Sequence, residues 1–223
     1  MSFIQLKGIQ KQFPDGTDRL NTVLRGVDLE VERGEFVAVR GASGSGKTTL
    51  LSILGTLLAP DGGSYFLDGA DMTAPGMDYS LVRNRQIGFV FQDHRLLPQY
   101  TVVENILLPA LAYCSKAGAE KIAYARRLME LARIAGVAGQ YPHTLSGGEA
   151  SRVAVCRALM MKPLLVLADE PTGQLDRENA RNIASLLSEI NQAMQATIVM
   201  VTHSEETSSV AGRILTLQDG KLQ

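Results

Sequence analysis

Gly41-Ala42-Ser43-Gly44-Ser45-Gly46-Lys47-Thr48-Thr49 fits the pattern G-x-x-x-x-G-K-[ST], a loop that wraps phosphate groups. Ahead of it Phe36-Val37-Ala38-Val39 reads as a short buried strand. Behind it Thr48-Thr49-Leu50-Leu51-Ser52-Ile53-Leu54 reads as the start of a helix with its apolar residues on one side. A strand before and a helix after are what such a loop needs, and they weigh against the plainer reading of a Gly/Ser-rich turn. Glycines let successive N–H groups turn inward around an anion, and the helix start adds free N–H groups and a positive dipole end. In this loop Lys47 is expected to reach the β- and γ-phosphates and the Thr48 hydroxyl to ligate Mg²⁺, so ATP with Mg²⁺ is the expected ligand pair.

The composition suits a globular host for that loop. The chain has 223 residues, 45% hydrophobic and 20% charged, enough for one α/β domain over 1–223 with a small helical insertion. Lys and Arg number 22 against 23 Asp and Glu, a formal charge of −1, which leaves no basic footprint for nucleic acid. Cys114 and Cys156 form no C-x-x-C pair, and both fall in helix-like apolar stretches where a small buried residue is expected. Met1-Ser2-Phe3-Ile4-Gln5-Leu6-Lys7 lacks the pattern of a signal peptide, and no run of 18 apolar residues occurs. The expectation is a cytosolic chain that does not cross a membrane.

Outward from the loop, Phe3-Ile4-Gln5-Leu6 and Val27-Asp28-Leu29-Glu30-Val31 alternate as half-exposed strands, with Phe13-Pro14-Asp15-Gly16 as a turn between them. Pro60-Asp61-Gly62-Gly63 predicts a turn, 64–67 a short strand, and Ile87-Gly88-Phe89-Val90-Phe91 a strand that delivers Gln92 at its end. Thr101-Val102-Val103-Glu104 is a capping box that starts a helix running towards Tyr113, and 119–135 is helical in period. Residues 93–143, or 93–160 counting the following helix, therefore read as an α-helical subdomain. Ser146-Gly147-Gly148-Glu149 is a second capping box, and Asp176 caps a further helix. Leu164-Leu165-Val166-Leu167-Ala168 and Thr197-Ile198-Val199-Met200-Val201 are continuously apolar, as strands buried on both faces require, and 214–217 is the last strand. Alternating strands and helices predict a mainly parallel core sheet covered on both sides, with an antiparallel N-terminal portion.

The apolar strand at 164–168 ends in Asp169-Glu170. Ligands of open parallel sheets bind at the carboxyl ends of strands, so both acids are expected beside the phosphate loop. There Asp169 can hold Mg²⁺ and Glu170 can polarise the water that attacks the γ-phosphate.

Leu145-Ser146-Gly147-Gly148-Glu149 then completes a series. The chain resembles the nucleotide-binding subunits of ABC transporters, in which six motifs follow in fixed order. Here they are Gly41 to Thr48, Gln92, Leu145 to Glu149, Asp169-Glu170, Gly173-Gln174-Leu175-Asp176, and His203. The runs Gly88-Phe89-Val90-Phe91-Gln92 and Ala168-Asp169-Glu170-Pro171-Thr172-Gly173 are most similar to the bacterial lipoprotein-releasing, macrolide-exporting, haem-exporting and cell-division group.

The resemblance implies a Mg-dependent ATPase that works as a head-to-tail pair of copies, with ATP gripped between the phosphate loop of one and the signature, Leu145 to Glu149, of the other. It implies that Gln92 senses the γ-phosphate or Mg²⁺, that His203 bonds the γ-phosphate, that Asp176 belongs to the shared site, and that Phe13, in the loop after the first strand, stacks on adenine. It also implies a separate membrane permease as partner, and a peripheral location on the cytoplasmic face of the inner membrane, powering export or mechanotransmission. Leu96, Leu97, Pro98 and Tyr100, an apolar run after Gln92, are the expected docking surface. The chain departs from the usual pattern at Glu149, at Ala150-Ser151 before Arg152, and at Ser204 after His203. Two rival readings are a soluble ABC-type ATPase in DNA repair or translation and a phosphate-loop kinase. The first is disfavoured by the lack of a coiled-coil insertion, the second by the signature and the histidine.

Overall fold

The computed structural model describes residues 2–14, 16 and 20–223. Strand β1 (Ile4–Pro14) pairs antiparallel with β2 (Leu20–Val31), and β3 (Phe36–Arg40) leads through the phosphate loop into helix α1 (Lys47–Leu54). Next come β4 (Gly62–Leu67), β5 (Ala70–Asp71), α2 (Tyr79–Gln86) and β6 (Ile87–Val90). Three helices follow, α3 (Val102–Leu111), α4 (Ala119–Leu131) and α5 (Gly147–Leu159), the last two separated by single 3₁₀ turns at Ala135–Val137 and Pro142–Thr144. The chain then runs through β7 (Leu165–Asp169), α6 (Arg177–Met194), β8 (Thr197–Thr202), α7 (Glu205–Ser208), β9 (Arg213–Gln218) and β10 (Lys221–Leu222).

Two sheets result. An antiparallel one has the order β2-β1-β4-β5, and a six-stranded one has the order β10-β9-β3-β8-β7-β6, parallel except for β10. Period-two alternation divides the core between the two faces of the larger sheet. Val166, Ala168, Ile198 and Met200 pack with α3 to α6, whereas Leu165, Leu167, Val199 and Val201 pack with α1 and the antiparallel sheet. Strands covered on both faces have no polar side to show, which is why β7 and β8 read as unbroken apolar runs.

Strand order positions the site. Arg40 at the end of β3 is level with Thr202 of β8, and Val201 is level with Asp169 of β7. The phosphate loop, His203, Asp169-Glu170 and Gln92 all leave neighbouring strands at the same carboxyl edge.

The helix starts follow local hydrogen-bond chemistry. Capping boxes are formed at Thr101/Glu104 and Ser146/Glu149, and Asp176 accepts from the N–H of Asn179. Close packing explains Gly88, where a Cβ would lie 2.3 Å from the Ala158 carbonyl of α5.

Several expectations are corrected. Phe13 and Pro14 lie in β1 rather than in a turn, and Asp15 of that stretch is outside the described residues. Gly62 and Gly63 belong to β4, and α4 ends four residues short of position 135, where Arg133 turns left-handed at φ 58°. Cys156 is buried, its thiol pushed up to about 12 by loss of solvent, but Cys114 is exposed just past the end of α3. Helix α2 has no counterpart in the sequence reading, because only Val82 of its eight residues is buried.

Candidate functional site

The phosphate loop leaves β3 as a tight cradle. Gly44 and Gly46 take φ values of 78° and 101°, which an L side chain adopts only with strain, and a Cβ on Gly41 would lie 2.5 Å from the Leu217 carbonyl. Lys47, 7% exposed, starts α1, and its ammonium donates to the carbonyls of Gly41 at 2.9 Å and Ala42 at 3.0 Å. The same nitrogen is 3.9 Å from Glu170 Oε1.

A cleft of about 650 Å³ opens over the loop. Ser43, Gly44, Gly46, Lys47, Thr48 and Thr49 form its floor, Gln92, Glu170 and His203 one wall, and Phe13 with Val23 the other. Phe13 carries the Lys11 ammonium 5.5 Å from its ring centroid. Gly41, Ala42 and Ser45 line the back of the loop beneath this cleft, beside Thr216 to Gly220.

Asp169 sits behind Thr48, whose hydroxyl donates to its Oδ1 at 3.2 Å. Burial raises the Asp169 pKa, an effect opposed by the Thr48 bond and added to by the neighbouring Glu170 charge. Thr48 on the cleft floor and Asp169 behind it are hard oxygen donors that, with Gln92 on the wall, suit Mg²⁺, which takes one or two protein ligands and completes its shell with phosphate and water. Among the described residues no cluster of three or more His, Cys, Asp or Glu offers a caged site for another metal.

Glu170 occupies a left-handed backbone position, φ 44°, held by its N–H donating to the Val201 carbonyl at 2.9 Å. That bend turns the carboxylate towards the cleft, where it meets His203 Nδ1 at 3.0 Å. The Gln92 amide lies against Gly173, whose missing Cβ would be 3.2 Å from Gln92 Nε2.

The signature does not line this cleft. Ser146 donates to Glu149 Oε2 from both its N–H at 2.8 Å and its hydroxyl at 2.7 Å, and accepts from the Glu149 N–H at 3.3 Å. Those two donated bonds hold the Glu149 carboxyl below its ordinary pKa. Gly147 and Gly148 pack on the start of α6, a Cβ on them falling 3.2 Å from Leu175 and 2.6 Å from Asn179. The Asn179 amide in turn donates to Asp176 at 2.6 Å. Signature and Asp176 thus form one cluster, none of whose residues lines the cleft.

Leu97, Pro98 and Tyr100 are exposed, and Leu96 is partly buried against the helical core. Their loop is pinned by fully buried Asn105, which accepts from the Leu97 N–H at 2.8 Å and donates to the carbonyls of Leu97, Tyr100 and Thr101. A groove of about 580 Å³ lies close by, between Phe89, Phe91, Arg95, Pro109 and Tyr113. The sequence reading missed Asn105, Val23 and Arg157. Asn105 and Arg157 each carried a signal, a polar residue inside the apolar run of α3 and a cation inside that of α5.

Residues 24–173 match the ABC transporter family. The chain is 42% identical over 220 residues to the lipoprotein-releasing system ATP-binding protein LolD of Pseudoalteromonas translucida, covering 98% of this chain and 94% of the relative. It is also 42% identical over 219 residues to the macrolide export ATP-binding/permease protein MacB of Rhodopirellula baltica, of whose length it spans 32%. Among solved structures, the dimeric bacterial ABC transporter cassette MJ0796 superposes with a TM-score of 0.89 at 35% identity, covering 99% of this chain and 96% of that one. A dimeric post-hydrolysis state of the same cassette, bound to ADP and Pi, gives 0.89 at 34%.

Proposed function

This chain belongs to the ABC transporter family, and from that premise we propose how its residues perform ATP hydrolysis and what the hydrolysis drives. Two copies close head to tail, and each ATP lies between the cleft of one and the Ser146–Gly148 turn of the other. The observation that carries this reading is that the Ser146–Gly148 turn lines no part of the cleft within one copy. A γ-phosphate in the cleft can reach a signature only if a second copy supplies it.

Within the cleft Lys47 and the loop N–H groups hold the phosphates, and Phe13 stacks on the base. Thr48, Asp169 and Gln92 would hold Mg²⁺, which neutralises charge on the β- and γ-phosphates. Glu170 orients the attacking water and accepts its proton, and His203 bonds the γ-phosphate. Asp176 keeps the signature cluster in shape through Asn179.

The helical segment 93–160 acts as a subdomain carrying the signature, and it passes the closing motion to a membrane permease docked on Leu97, Tyr100 and the neighbouring groove. Among the described residues no helix is long and apolar enough to cross a membrane. In this reading the chain sits against the permease at the cytoplasmic face. Release or export is the process powered, as the names of the relatives describe for them.

The test is nucleotide binding and product analysis on purified chain. MgATP yields ADP and inorganic phosphate, and Lys47→Ala abolishes binding; tight ATP binding by Lys47→Ala contradicts the cleft assignment.

A further inference from the structure

Gln92 follows β6 at the start of a loop whose course is set by the helix that carries the signature. Upstream, β6 is fixed by pairing with β7, and Phe89 and Phe91 lie in parallel planes with centroids 5.4 Å apart. Downstream, His94 and Arg95 are consecutive left-handed residues, φ 57° and 48°, neither of them glycine. Such a pair persists only where the surroundings hold it.

What holds it is Arg157 of α5. Nη1 donates to the Arg95 carbonyl and Nη2 to the His94 carbonyl, each at 2.6 Å, so one planar fork spans two successive peptide groups. Arg95 itself lies with its guanidinium 4.1 Å from the Phe91 ring centroid, and its Nε donates to Asp93 at 3.2 Å. A second tie runs from the same helix. Ser151 donates its hydroxyl proton to the Gly147 carbonyl of the signature at 3.1 Å, and the same oxygen lies 3.4 Å from His94 Nε2. Ser151 is fully buried and small. The signature turn and the Arg157 fork lie on one continuous helix, about ten residues and hence about 15 Å apart.

We propose that Arg157 is a positioning residue for Gln92: by clamping the carbonyls of His94 and Arg95 it fixes the loop that aims the Gln92 amide, and it makes a shift of the signature turn a shift of Gln92. The inference rests on the role proposed for Gln92 at the γ-phosphate and goes beyond it by naming the link.

The experiment is a double-mutant cycle on the full chain with Gln92→Ala, Arg157→Lys and the pair. An ammonium cannot span two carbonyls, so Arg157→Lys lowers kcat by about ten- to a hundredfold. Its affinity for MgADP, which lacks the γ-phosphate, stays within about twofold, a split that general destabilisation does not produce. In the Gln92→Ala background Arg157→Lys costs less than about twofold more, because the residue it aims is gone. Independent, multiplying losses overturn the proposal while leaving the Gln92 role intact; normal turnover by Gln92→Ala overturns both. Should Arg157→Lys not fold, Arg157→Gln, which keeps a donor for one carbonyl, is measured in the same way and judged by the same outcomes.

Discussion

His203 Nδ1 lies 3.0 Å from Glu170 Oε1, and the backbone N–H of His203 donates to the other carboxylate oxygen at 3.3 Å. With Glu170 ionised, that contact requires the proton on Nδ1 and leaves Nε2 uncommitted to Glu170. Glu170 is held from its backbone by Val201 of β8 and from its side chain by His203, the residue that follows β8, so base and histidine are positioned as a pair.

Glu170→Gln keeps the shape of this pair and removes the base. Turnover should fall by a hundredfold or more, about the contribution of a positioned general base, while MgATP binding persists and an ATP-bound dimer accumulates. Phosphate release and light scattering read the two effects. Near-normal turnover would take Glu170 out of the role.

Asp169→Asn should stabilise the fold while disabling the enzyme. The Asp169 pKa is raised in the folded chain, chiefly by burial, so between its unfolded and folded values the native state binds the extra proton and stability falls as pH rises. Above that window the buried charge is a standing cost that the amide removes. The melting temperature at neutral pH should rise, with a smaller gain below the unfolded carboxylate pKa, and Mg²⁺-dependent hydrolysis should be lost. A lower melting temperature at pH 7 would contradict this account.

Much of this was legible in the sequence wherever a feature depends on neighbours along the chain. The phosphate loop, the two capping boxes and the doubly buried β7 and β8 depend on bonds within four residues or on unbroken apolar runs. Cys114 misled because α3 ends before it, so an apolar neighbourhood in sequence is not burial in space. Helix α2 was missed because it buries almost nothing, although Asp78 accepting from Ser80 and Leu81 marks its start. That Gln92, Glu170 and His203 share a wall is a matter of strand order, and that Arg157 reaches back 62 positions to Arg95 is a tertiary contact. No local pattern carries either.

Asn105→Ala should release the proposed docking loop. Four hydrogen bonds to 97–101 are lost and three carbonyls are left without that donor, which costs about 1–3 kcal/mol where they stay dry. Amide exchange at 97–101 should accelerate and recovery of the chain with its permease from membranes should drop. Unchanged exchange there would show that the loop is held by something else.

Gly88→Ala should destabilise the join between β6 and α5 by about 1–3 kcal/mol, since the added methyl falls 2.3 Å from a backbone carbonyl that cannot swing aside. Thermal melts should shift down by several degrees. An unshifted melt would mean that the strand and helix part easily.

The most direct test of the paired half-sites is the structure of Glu170→Gln with MgATP. The account predicts two copies in which Ser146 and Gly147 of one lie within hydrogen-bonding distance of the γ-phosphate held by Lys47 of the other. A nucleotide-loaded assembly in which both signature turns face solvent would contradict it.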